Sequence, residues 1–221
     1  MILNIETATT ACSVCLARGE TILAGEEINN GYSHSENLHV FIDKVLKEAG
    51  VVPAQLDAVA VSKGPGSYTG LRIGVSTAKG LCYSLKRPLI SINTLKSMAA
   101  GMLAQQQDKN AVYCAMLDAR RMEVYCAAYN DQLKEVMTTT AKIIDEESIH
   151  DLSFGKRAFF FGDGAEKCAA FIRNIPDAHI VPGIFPSAHQ MAKLSVDAFE
   201  KKQYEDVAYF EPYYLKEFFT K

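Results

Sequence analysis

The stretch best supplied for chemistry is Lys63-Gly64-Pro65-Gly66-Ser67-Tyr68-Thr69-Gly70-Leu71-Arg72-Ile73-Gly74. A glycine-rich turn that opens a helix presents free backbone amides, and such a helix start binds anions. Ser67, Thr69 and Arg72 add further donors. The other reading is a structural turn and helix cap, and the residues leave both open. A phosphate loop of the G-x-x-x-x-G-K-[ST] type is absent.

Other reactive residues are poorly arranged for catalysis. His34 and His39 stand five apart on one helical segment, about 140° apart around its axis, so they cannot share a metal there. His150, His179 and His189 have no paired spacing. No G-x-S-x-G elbow and no Cys/His pair supports a nucleophile. Cys12 and Cys15 match C-x-x-C, but three residues apart in a strand they face opposite sides. The six cysteines are scattered and read as buried reduced thiols. Asp118-Ala119-Arg120-Arg121-Met122-Glu123 reads as a charged turn between strands, either solvated or turned toward a cleft. Catalytic residues are therefore assigned to none, and metal ligands to none.

The 221 residues are 48% hydrophobic with a net charge of −3, enough for one large domain or two small lobes. Basic residues come only in pairs, which disfavours tight nucleic-acid binding by the chain alone. The first residues, Met1–Glu6, read as a strand and not a signal peptide. No run approaches the roughly 20 apolar residues of a membrane span, and the scattered reduced thiols lead to a cytoplasmic location being expected.

Strands are predicted at Ile2–Glu6, Ala11–Ala17 and Thr21–Ile28, with a turn at Arg18-Gly19-Glu20. A helix over Ser33–Ala49 carries a Ser33/Glu36 capping box and the stop residue Gly50. Then come strand Ala58–Ser62, helix 69–85, strand Leu89–Ile92 and a helix capped by Asn93 or Thr94. The order βββαβαβα, with three antiparallel strands and two added in parallel, describes one lobe of the actin-like ATPase fold, shared with sugar kinases. The fold class is α/β, two-lobed, with a hinge near Gln105–Asn110. A first lobe is placed at 1–105 and a degenerate second lobe at 106–221, its last helix free to cross back. The second half predicts strands at Ala111–Leu117, Glu123–Tyr129, Glu135–Ala141 and Ala158–Phe161, and helices at 165–173 and from Ser187 through Lys202.

In actin-like ATPases an acidic D-x-G-T-T hairpin after the first strand holds phosphates and magnesium. Here Glu6-Thr7-Ala8-Thr9-Thr10 has the longer acid, shifted by roughly 1.5 Å, and Ala8 in place of glycine. A weak nucleotide or anion site is thereby placed at Thr7, Thr9, Thr10, Gly64, Gly66, Ser67 and Arg72, with no cofactor held tightly.

At about 100° per residue, Leu71, Gly74, Val75, Ala78, Leu81, Cys82 and Leu85 share one face of helix 69–85. Gly70, Ile73, Thr77, Gly80 and Ser84 form a second face at spacing 3, 4, 3, 4, made of small residues plus one isoleucine. Either both faces are buried in one domain, or the second is a seam for another subunit.

Together, Ile5–Val14, Lys63–Gly74 and Asp118–Tyr125 closely resemble the bacterial TsaB (YeaZ) family. Glu211-Pro212-Tyr213-Tyr214-Leu215-Lys216 is similar to its P-x-Y-[LV]-R ending, with Lys216 for arginine. Glu6 departs from the family's usual aspartate. The resemblance implies a subunit without catalysis of its own, in N6-threonylcarbamoyladenosine formation on tRNA. Its implied partners are a paralogous transferase, TsaD, which carries an H-x-x-x-H metal site, and a small ATPase, TsaE. tRNA is reached only through the complex, and ATP or ADP with magnesium enters at the assembled complex. Alone, such chains form homodimers through their first two helices, which places Asn37, Val40 and Phe41 beside the seam. The competing readings are an independent actin-like ATPase or kinase, and a peptidase.

Overall fold

The computed structural model describes residues 1–29, 31 and 34–216. It contains two five-stranded mixed sheets. The first holds β1 (Ile2–Glu6), β2 (Cys12–Arg18), β3 (Thr21–Ile28), β4 (Ala58–Gly64) and β5 (Leu89–Asn93) in the order β3-β2-β1-β4-β5. β1, β2 and β3 pair antiparallel, and β4 and β5 add in parallel. β1 and β4 are buried almost throughout, as strands covered on both faces must be.

Helices α1 (His34–Glu48) and α2 (Tyr68–Leu85) share one face of this sheet. Leu38, Ile42, Val45 and Leu46 of α1 and Val75, Ala78 and Cys82 of α2 pack on Leu3, Ile5, Val14, Val59 and Val61. Ser33, expected to cap α1, lies outside the described residues. Ser67 caps α2, its side chain accepting from the Gly70 amide. α3 (Thr94–Gln105) is capped by Asn93, whose Oδ1 accepts from Lys96 N at 3.1 Å.

The second sheet holds β6 (Val112–Asp118), β7 (Glu123–Tyr129), β8 (Glu135–Ile143), β9 (Ala158–Phe161) and β10 (Ala178–Val181) in the order β10-β9-β6-β7-β8. Its antiparallel and parallel pairings repeat those of the first. Its degeneracy lies in the helices: α4 (Glu146–His150), α5 (Asp163–Lys167) and α6 (Ala169–Ile172) have four or five residues each. The single helix expected at 165–173 breaks at Cys168, whose ψ of 11° leaves helical geometry. β10 and α4 were not expected, being too short for periodicity to register.

α7 (Ala188–Glu200) starts from a Ser187 cap and lies on the other face of the first sheet. There Met191 and Ala198 pack on Ile2, Ala58, Ala60, Ile90 and Ile92. By contacts, one unit comprises Met1–Ser97 with Pro186–Tyr214, and the other Met98–Phe185 with the chain from Leu215. The sequence reading drew its boundary at 105/106; the contacts divide the chain inside α3. Among the described residues no helix is long and apolar enough to cross a membrane.

Lys86 ends α2 in the left-handed region, at φ 52° and ψ 47°. A side chain there costs energy that glycine avoids. Lys86→Gly should raise stability by about 0.5–1 kcal/mol, read as a higher denaturant midpoint.

Candidate partner interface

Where β1 ends, the chain turns through Thr7 and Ala8 and lies against the start of α2. Ser67 N donates to Ala8 O at 2.6 Å, and Thr7 Oγ1 donates to Gly70 O at 2.8 Å. A Cβ at Gly66 would overlap Ala8 O, one at Gly70 would overlap Thr7 O, and one at Gly74 would overlap Thr7 Oγ1. Repeated at every fourth position, the motif's glycines let two backbones meet.

The turn is held from below by Glu6. Its Oε1 accepts from Ala8 N at 2.6 Å and from Ser62 Oγ at 2.7 Å, while Ser62 Oγ also accepts from Thr7 N at 3.4 Å. Burial pushes the Glu6 carboxyl up to about 7, against the lowering effect of hydrogen bonds from Ser62, Ala8 and Thr7.

The groups proposed for an anion hold protein partners instead. Thr7 is buried, Ser67 is spent as cap and its amide on Ala8, and Gly66 is covered by Ala8. Thr10 Oγ1 donates to Asn29 Oδ1 at 2.7 Å, and Thr9 Oγ1 accepts from Ala11 N at 3.3 Å. Arg72 donates to Tyr68 OH at 2.5 Å and lies over that ring. Gly64, at φ 110°, is buried against Tyr213 O.

The seam divides. Gly70 is a correction: it faces inward, buried under Thr7, because the first turn of α2 is covered by the 7–8 turn. Ile73 and Thr77 are half-buried, and Gly80 and Ser84 are exposed. Among the described residues nothing lies within 4 Å of a Cβ built on Gly80. On α1, Asn37 and Phe41 are half-buried, and Val40 is 58% exposed. Phe41 and Ile73 both pack at the edge of the core under the two helices.

Two features escaped the sequence reading. Tyr83 on α2 is 82% exposed, and its only sequence signal was an aromatic off the apolar face. The segment after α7 straps the flank of α2: Lys79 Nζ donates to Ala208 O at 3.2 Å and Phe210 O at 2.9 Å. Tyr213 N donates to Lys63 O at 2.7 Å, and the Tyr214 ring lies 5.0 Å from that of Tyr68. Long-range contacts of this kind leave no periodic trace.

The remaining reactive groups make contacts within the chain. Cys12 faces the core under α1, while Cys15 Sγ donates to Ala188 O at 3.2 Å on the opposite face. Burial pushes these thiols up, to about 11 and about 12. Ser187, His189 and Glu27 meet, but Ser187 Oγ donates to Glu27 and caps α7. His189 Nδ1, at 3.1 Å from Ser187 Oγ, also faces Glu27, and its Nε2 end covers Gly25. Burial opposes the Glu27 charge, but hydrogen bonds from His189, Ser187 and Ser13 hold its carboxyl below the ordinary range. In the 118–123 turn, Asp118 accepts from Arg120 N at 2.7 Å and pairs with Lys167, while Glu123 pairs with Lys216.

Gly70→Ala should destabilise the chain by about 1–3 kcal/mol, because backbone stands where the methyl must go. Gly80→Ala should stabilise the isolated chain by about 0.5–1 kcal/mol through helix propensity. Urea unfolding of both variants checks the contrast. The folded chain keeps the Glu6 proton to a pH of about 7, against 4.5 for the free group. Its stabilising effect is complete below that lower value and is lost as pH rises through the upper one. Relative to Glu6→Gln, the native chain should lose about 3 kcal/mol between pH 4 and pH 8, measured by urea unfolding at each pH.

Residues 29–168 match the family model "TsaD: tRNA N6-adenosine threonylcarbamoyltransferase". The tRNA threonylcarbamoyladenosine biosynthesis protein TsaB of Haemophilus influenzae is 31% identical, over 97% of this chain and 93% of its own. YeaZ from Pseudomonas aeruginosa superposes with a TM-score of 0.80 at 25% identity, covering 97% of this chain and 99% of that one. An activator of 2-hydroxyisocaproyl-CoA dehydratase from Clostridium difficile, at TM-score 0.50 and 12% identity over 91% and 95% of the two chains, shares the fold alone, the actin-like ATPase fold. The chain belongs to the TsaB (YeaZ) family, within the wider TsaD-type domain family.

Proposed function

We propose that this chain is a dimerisation and activating subunit, without catalysis of its own, for a TsaD-like transferase. That transferase moves a threonylcarbamoyl group to tRNA adenosine, forming N6-threonylcarbamoyladenosine. Family membership supports the pathway. The observation that carries the subunit role is the outer face of α2. Gly80 sits there with open space beyond it, between half-buried Thr77 and exposed Ser84 and Tyr83. A small-residue stripe on a long exposed helix admits another helix closely, and exposed Val40 on neighbouring α1 widens the surface.

The same surface serves a second copy of this chain when the transferase is absent. A TsaE-like ATPase completes the assembly, in the cytoplasm, and tRNA is engaged through the complex. ATP or ADP with magnesium enters there, away from the packed Thr7–Gly70 turn. An independent ATPase or kinase finds no support in that turn, and a peptidase finds none in the wiring of Ser187, His189 and Glu27.

The test is tRNA threonylcarbamoylation by the cognate transferase and ATPase with threonylcarbamoyl-adenylate supplied. Multiple turnover should require this chain, and equal turnover without it would refute the role. Gly80→Arg should weaken association with the transferase at least about tenfold, roughly 1.4 kcal/mol, without lowering the thermal midpoint of the isolated chain. Unaltered association, by calorimetry, would count against the α2 face.

A further inference from the structure

The face of the first sheet under α7 carries a polar row across its strands. Glu6 pairs in register with Ser13, and Ser13 with Glu27. Ala188 N donates to Ser13 Oγ at 3.1 Å, so the start of α7 closes over the row. Asn4 lies two residues before Glu6 on β1, on the same face. Both are fully buried.

The row is short of a hydrogen. Asn4 Oδ1 and Glu6 Oε2 are buried acceptors with no hydrogen-bond partner among the described residues. Asn4 spends its amide nitrogen on Ile2 O at 3.2 Å. Orphaned buried acceptors cost free energy, and a carboxylic proton on Glu6 Oε2 supplies the donor this compartment lacks. The titratable groups facing Glu6 argue the same way. On the same face β2 brings the thiol of Cys15, with Cys12 nearby but turned to the core under α1, and β3 brings the carboxylate of Glu27, itself held by Ser187 and His189 at the start of α7. β4 contributes the Ser62 hydroxyl. None of these brings a cation to the Glu6 carboxyl.

We propose that Glu6 is held as the neutral acid and acts as the positioning residue for α2: its carboxyl locks the Thr7–Ala8 turn that seats Gly66, Gly70 and Gly74, so the α2 surface offered to a partner depends on the Glu6 proton. The connection is continuous. Glu6 Oε1 holds Ala8 N, Ala8 O holds Ser67 N at the cap of α2, and Thr7 Oγ1 holds Gly70 O. Ile73 and Thr77 follow within the next two turns of the same helix. An ionised Glu6 would be an uncompensated charge beside Glu27, relieved by drawing the turn toward water and off α2. The burial that pushes this carboxyl up agrees with the arrangement.

The inference rests on the reading of α1 and α2 as the partner surface, and the experiment separates the two. Carbon-13 NMR of glutamate-labelled chain should show one carboxyl, assigned to Glu6, titrating near neutral pH and absent from Glu6→Gln. Calorimetry with the cognate transferase subunit should show the native chain binding at least about fivefold tighter at pH 6 than at pH 8. Glu6→Gln, a neutral isostere that carries an amide donor, should bind at both pH values as the native chain does at pH 6. Titration of Glu6 in the ordinary carboxylate range, as when a water bridges it to Asn4, would overturn the proposal. So would parallel pH dependence of binding in the two proteins. Absence of binding at either pH would overturn the partner reading and the link to α2, while the NMR titration still decides the state of the carboxyl.

Discussion

Two stretches of backbone meet with almost no side chain between them, and much of the first unit is arranged around that meeting. The Thr7–Ala8 turn lies on the first turns of α2, admitted by Gly66, Gly70 and Gly74. Close contact of this kind fixes the axis of α2 over β1 and β4 more firmly than apolar packing alone, because a methyl at Gly66 or Gly70 overlaps backbone oxygen and one at Gly74 overlaps the Thr7 hydroxyl. It spends the inner face of the helix start on the chain's own turn, and the free amides that would attract an anion on Ala8 and Ser67. What α2 has left to offer lies further along, on the opposite side.

The two sheets show why the first unit is the one suited to helix-mediated contact. Their strand orders and pairings are the same, so each provides the same scaffold. On the first, α1 and α2 run 15 and 18 residues and present whole outer faces. On the second, α4, α5 and α6 are each about one turn long, enough to cover the apolar cluster around Met116 and Phe160 and little more. With the same strand order and longer helices, the first half is left with a surface to spare.

Much of the architecture was legible in the residues, because strands of this sheet alternate or run apolar for five to seven positions and α1 carries its core residues at helical spacing. The caps at Asn93 and Ser187 were legible too, since the side chains that satisfy first-turn amides are few. The misses have particular causes. Gly70 shares the spacing of Ile73, Thr77 and Gly80, and periodicity alone cannot tell that a turn sixty residues earlier covers the first of them. AHIV at β10 is four residues long, below the length at which alternation is informative. The strap from Glu205 to Tyr214 is held by backbone carbonyls and one lysine, and carries no regular pattern. Glu6 was legible as a departure from the family's aspartate, but its part in holding the turn depends on Ser62 and Ala8, which only the fold brings together.

The outer faces of α1 and α2 are the surface proposed to meet a TsaD-like transferase. Amide hydrogen exchange, followed on the intact chain with and without the cognate TsaD-like subunit, tests that proposal most directly. The account predicts new protection concentrated in residues 34–48 and 73–84. Protection confined to the second sheet and its short helices, with α1 and α2 exchanging as in the free chain, would contradict it.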